Sequence, residues 1–210
     1  MGEELGKIEK PAVESFKKGR KLFFVPAIYS AEGVPVEYIG YLNKYWGQAG
    51  KQLEELASKL GKVNRIYHEL IDAPGDQGTE GIKELNENSF EIIKSYITRG
   101  AQLEALEDTE LLTEFMDWSR CLMIGLQSPK VMSKIYEYYV EAVKKRNEQI
   151  SKKIDSSLKE NEIGIILMRE NHQIQFPADI EIFYVSPPAL NDIKRWIREQ
   201  ESKKDKEPAG

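Results

Sequence analysis

The sequence predicts an α/β fold: a mainly parallel sheet of four or more strands flanked by helices, with an α-helical insertion. Three observations lead there. Runs rich in strand formers, Leu22 to Tyr29, Val63 to Ile71, Ile163 to Met168 and Ile180 to Val185, are separated by long helical patterns. The first run is apolar throughout, as a parallel strand covered on both faces must be. Strand, a helix of about 25 residues and strand then follow one another, which is a βαβ unit.

Residues 1–20 form a polar segment punctuated by Pro11 and Gly19. Ser30 to Gly33 end the first strand. Pro35 opens a helix, where its missing N–H is not needed. Its apolar stripe is Val36, Ile39, Leu42, Trp46, Ala49, Leu53, Leu56 and Leu60, with Tyr38, Tyr41 and Tyr45 as aromatic edges. Gly61 stops it. The loop Ala73 to Gly81 has three glycines but no Gly-Lys-Ser/Thr, and it carries Asp76 and Glu80. It reads as a mobile rim rather than a phosphate cradle.

A helix is expected from Thr79 to Ile97, a second after the N-cap Asp108, and a third, long one from Ser128-Pro129. The insertion is placed at about 79–128 within a single domain of 21–200. Ser186-Pro187-Pro188 starts a last helix, and 201–210 reads as a disordered charged tail.

Composition narrows the function. The chain has 210 residues, 40% hydrophobic and 31% charged, enough for a packed core. Its 30 basic residues are scattered among 35 acids with no basic stripe, so nucleic acid is not an expected partner. Cys121 stands alone, which excludes a disulfide framework, and its apolar neighbours suggest an inert core thiol. No run of about 18 apolar residues exists, so no membrane partner is expected. The charged start Met1-Gly2-Glu3-Glu4 fits no secretory signal, and a cytoplasmic location is the simplest expectation.

One residue points to a site. The long helix has the stripe Val131, Ile135, Tyr139, Val143, Ile150, Ile154, Leu158, and Arg146 falls inside it beside Asn147. A buried guanidinium needs a carboxylate or an anionic ligand. Ligands in open α/β sheets bind outside the carboxyl ends of the strands. Those ends carry Tyr29, then His68-Glu69-Leu70-Ile71-Asp72, then Arg169-Glu170-Asn171-His172. Strand alternation puts His68 on one face and Tyr67 with Glu69 on the other. Glu69 is the natural partner for Arg146, either as a structural ion pair or as part of a cleft. His68, Glu69, Asp72 and His172 are of metal-ligand type, but their spacing matches no metal motif. Neither a metal nor a cofactor follows from the residues.

These pieces also resemble the TraB/Tiki/ChaN superfamily over most of the chain. Phe24-Val25-Pro26-Ala27-Ile28-Tyr29-Ser30 is similar to its first strand, which ends in a Gly-Thr-x-His-type motif. Glu69-Leu70-Ile71-Asp72 resembles its apolar-Glu-Leu-Asp-type strand end. Arg146-Asn147, then Ile163 to Met168 and His172, resembles its Arg-Asp helix leading into a strand and a Gly-x-x-His motif. Tyr29 stands where that pattern has histidine, Pro26 and Ala27 lie near its Gly-Thr, and Arg169 replaces the glycine. The superfamily includes metal-dependent peptidases and haem-binding lipoproteins, so the resemblance implies a ligand cleft, and the lost histidine implies a diverged, non-catalytic member.

The expected function is ligand binding or regulation through a degenerate hydrolase-like cleft. Arg146 would grip a small anion or order Glu69, with Asn147, His68 and Asp72 nearby and Tyr29 and His172 at the mouth. Two alternatives stay open. One is an active hydrolase with Glu69 as base or metal ligand and His172 as ligand or acid/base. The other is a protein-interaction module using the inserted helices.

Overall fold

The computed structural model describes residues 18–30 and 33–204. Five parallel strands form one sheet: β1 (Arg20–Pro26), β2 (Val63–His68), β3 (Gln102–Leu103), β4 (Ile163–Met168) and β5 (Ile180–Tyr184). Their order is β3-β2-β4-β1-β5, and every pairing is parallel. Six helices accompany the sheet: α1 (Val36–Leu60), α2 (Gly75–Leu85), α3 (Glu87–Thr98), α4 (Thr109–Met123), α5 (Pro129–Ser157) and α6 (Pro188–Lys204). Among the described residues, no helix is long and apolar enough to cross a membrane.

Strand alternation sorts the core into two layers. Phe23, Val25, Ile165 and Leu167 face α1, α3 and α6, while Leu22, Phe24, Ile166 and Met168 face α5. Val63 and Ile66 share a face although three residues apart, because the register slips between Val63 and Arg65. Gly164 lies in the central strand. A Cβ there would come within 2.8 Å of Leu22 and 3.0 Å of Tyr67, so its absence lets the side chains of both neighbouring strands close over β4.

Several local expectations need correction. Val36 and Ile39 are exposed, whereas Tyr38 and Tyr45 are buried. The Tyr45 hydroxyl donates to the Pro26 carbonyl at 2.6 Å, and Tyr38 packs on Trp196 with ring centroids 4.6 Å apart. The amphipathic Tyr45, not the aliphatic edge, takes the core because its hydroxyl finds an acceptor there.

The supposed rim at 73–81 is mostly α2. The single helix expected over 79–97 is two, broken at Asn86. That residue is extended (φ −160°, ψ 91°), and its side chain accepts from the Ser89 N–H as the N-cap of α3.

The helical block at 79–128 is divided by β3, which joins the sheet beside β2. What stands away from the core is a hairpin of α4 and the first half of α5: none of the residues from 109 to 141 is buried. Cys121 lies on this hairpin, half-buried rather than in the core.

At the chain ends, residues 1–17 and 205–210 lie outside the described residues, and most of the expected polar segment and tail lie there. Arg20, counted in that segment, is buried and begins β1, and residues 201–204 belong to α6.

Candidate ligand cleft

β2 and β4 are neighbours, but the chain leaves them in opposite directions, from β2 toward β3 at one edge and from β4 toward β5 at the other. Such a switch point leaves a crevice beyond the carboxyl ends of the strands. Glu69 follows β2 and Arg169 follows β4, so both stand at its floor.

Glu69 is 3% exposed. Its Oε1 accepts from the Tyr29 hydroxyl at 2.9 Å and from Arg169 Nε at 3.1 Å. The Arg169 guanidinium also lies 5.9 Å from the Tyr29 ring centre. Burial, followed by the adjacent Glu69 charge, drives the Tyr29 phenol far above its ordinary range, so it serves as a neutral donor. The three groups close a compact network linking the ends of β1, β2 and β4.

Arg146 is buried at 8% exposure, but its partner is not Glu69. Its Nε donates to Glu107 Oε2 at 2.8 Å and its Nη2 to Glu107 Oε1, a bidentate pair, with the guanidinium carbon 4.7 Å from the Phe115 ring centre. Glu107 is brought there by the backbone: the N–H groups of Leu106 and Glu107 both donate to the Ile71 carbonyl at 3.0 Å. Its Oε1 also accepts the Leu70 N–H at 3.0 Å. Leu70 has φ 67°, a left-handed conformation that costs a side chain roughly 1 kcal/mol or more, and this bond helps hold it. The turn breaks the alternation, and Ile71 joins the core with its side chain against Gly81 of α2.

His172 lines the cleft near Arg169. Its Nδ1 accepts the Ile174 N–H at 3.2 Å, so the neutral ring carries its proton on Nε2. The ring packs at a tilt against Phe24, centroids 5.0 Å apart, and edge-on against Phe176 at 5.4 Å, and this burial lowers its pKa. Asn147 also lines the cleft, and Tyr29 sits behind Glu69.

The cleft measures about 870 Å³. Four cations face it, Lys144, Arg146, Lys152 and Arg169, against the carboxylates of Glu69 and Glu148. This contrasts with a chain of net charge −5.

Two expected members are elsewhere. His68 is fully buried on the opposite side of β2. Its Nδ1 donates to the Glu69 carbonyl at 2.7 Å, and its Nε2 lies 3.1 Å from Ser89 Oγ. A carbonyl can only accept, so the neutral ring is protonated on Nδ1, and its Nε2 and the Asn86 carbonyl, 2.8 Å from Ser89 Oγ, compete for the single serine proton. Burial pushes His68 down to about 4. Asp72 is exposed and accepts from Thr109 Oγ1 at 2.9 Å, at the foot of the hairpin. Thus His68, Glu69, Asp72 and His172 do not converge. Among the described residues, no three His, Cys, Asp or Glu side chains are grouped to hold a metal.

The sequence reading missed Glu107 and Arg169 as partners. Glu107 sits among Glu104, Asp108 and Glu110, a run that reads as a solvated surface. Arg169 could have been found, since it immediately follows a wholly apolar strand. A second groove of about 660 Å³ lies between α1 and α3, lined by Gly47, Gly50 and Ile92, away from every strand end.

Fold and cleft together define an open, all-parallel α/β protein with a polar crevice at its switch point. Comparison with family models, curated proteins and solved structures finds no match.

Proposed function

We propose that the protein binds a small anionic ligand in the crevice between the ends of β2 and β4, as a ligand-binding or regulatory protein with a degenerate hydrolase-like cleft. The observation that carries this is the placing of Arg169. Its Nε is spent on Glu69, while its terminal amino groups take no hydrogen-bond partner among the described residues and the side chain is half-exposed in the cleft. A guanidinium so oriented presents two parallel N–H donors to a carboxylate or phosphate. Lys144, Lys152 and Asn147 on α5 support the same reading, as does the resemblance to the TraB/Tiki/ChaN superfamily. Arg146 has a different part here from the one the sequence suggested: Glu107 neutralises it, and it braces the wall.

Thermal unfolding with a panel of phosphate, sulfate and carboxylates tests the proposal. A ligand present at 100 times its Kd adds about 2.7 kcal/mol, which raises Tm by roughly 5–10 °C in a chain of this size. The shift should vanish in Arg169→Gln. If no anion shifts the wild type, the proposal fails.

A hydrolase reading has one observation in its favour: Glu69 Oε2 accepts no hydrogen bond from the described residues and so is available as a base. Turnover of an ester or peptide panel, lost in Glu69→Gln, would support it. No turnover across the panel would remove it.

A further inference from the structure

Building on the anion-binding reading of the cleft, we propose that its ligand is an organic monoanion: one carboxylate carried on an apolar acyl or aryl body, not a bare inorganic anion. Two features of the cleft lead there.

The first is charge. Three of the four cations facing the cleft already have carboxylate partners: Arg146 with Glu107, Arg169 with Glu69, and Lys144 with Glu148 at 4.0 Å. The uncompensated charge is close to one unit, contributed by Lys152. One carboxylate matches that excess, whereas a phosphate dianion would overshoot it in a partly desolvated crevice.

The second is the opposite wall. From Arg146 outward along α5 and α4 run Phe115, Tyr139 and Tyr136, with ring centroids 5.9 Å and 6.4 Å apart. Val140 and Val143 line the same cleft. Tyr136 is 59% exposed and Val140 47%, although both line a cleft. An apolar wall open to water beside a cluster of N–H donors fits a ligand with two unlike ends. The donors orient the carboxylate, and the tail covers the wall.

The test is titration calorimetry of the full chain with acetate, hexanoate, decanoate, 1-hexanol and inorganic phosphate. Each methylene that reaches the wall should tighten Kd by up to about fourfold, so hexanoate should bind roughly tenfold or more tighter than acetate. 1-Hexanol, lacking the charge, should bind more weakly than hexanoate. Tyr136→Ser/Val140→Ser, at exposed positions that leave folding intact, should abolish the chain-length dependence and keep acetate binding. Lys144→Gln/Lys152→Gln should weaken every anion alike. If acetate or phosphate binds as tightly as decanoate, the two-ended ligand is overturned while anion binding stands. If hexanol matches hexanoate, or the serine variant keeps the chain-length trend, the proposal is also overturned. If nothing binds, both it and the anion-binding reading fall.

Discussion

Arg146 and Glu107 form a buried pair in which each removes the reason for the other to stay in water. Replacing either one by alanine leaves a charge without its partner, so Arg146→Ala or Glu107→Ala should each cost about 3–5 kcal/mol in urea unfolding. Arg146→Met with Glu107→Leu should recover most of that loss, because no charge then remains buried. An additive double variant would show that the pair is not the unit. His68 gives a second residue-scale prediction. Its ordinary value is 6.5, and in the fold it is held near 4. Between those values the unfolded chain binds a proton that the folded chain refuses. Stability is therefore full above pH 6.5 and declines as pH falls toward 4, by about 3 kcal/mol. Half-buried His172 acts in the same direction. His68→Gln should flatten the slope of stability against pH over this window; an unchanged slope would contradict the assignment.

Among the elements, those with a strong local signal are the ones the sequence predicts well. α1 starts after Pro35 and ends at Gly61, α4 starts at Asp108, and α5 at Ser128-Pro129, all as the capping residues require. Asn86 is different. Within 79–97 the apolar spacing runs straight through it, so periodicity does not reveal the break. It is made by tertiary contacts: Asn86 caps α3, and its Nδ2 donates to the Ile28 carbonyl at 3.0 Å, tying α3 to the end of β1. Asn86→Ala should cost about 2–3 kcal/mol, a cap plus a buried hydrogen bond. Asp108→Ala removes a cap from a helix with no buried residue and should cost about 1 kcal/mol. Denaturant unfolding of both variants checks the ranking; equal losses would mean the Ile28 tie contributes little.

Across the whole molecule, stability is divided between a sheet covered on both faces and a hairpin that stands off it. α4 packs on α5, and Met123 and Ile124 at its tip are 76% and 67% exposed. Amides of 109–141 should therefore exchange by local opening at free energies well below that of the β1, β2 and β4 amides, with the boundary near Ala142, where α5 first becomes buried. Native-state hydrogen exchange reads this directly, and uniform protection across α5 would refute it. This boundary crosses the cleft, because Tyr136, Tyr139 and Val140 belong to the hairpin while Arg146, Asn147 and Ser151 belong to the anchored half.

By itself the sequence determined the α/β class, the four longer strands, most helix starts, and the presence of a charge on the buried face of α5. These follow from period, capping and composition, which are local along the chain. Only the tertiary structure decided that Glu107 rather than Glu69 meets Arg146, that Arg169 reaches Glu69, and that His68 points away from the cleft. Each of these joins segments distant in sequence, or depends on where the backbone turns at Leu70. A two-residue strand such as β3 carries too few side chains for any period, and it exists only because β2 offers an edge to pair with.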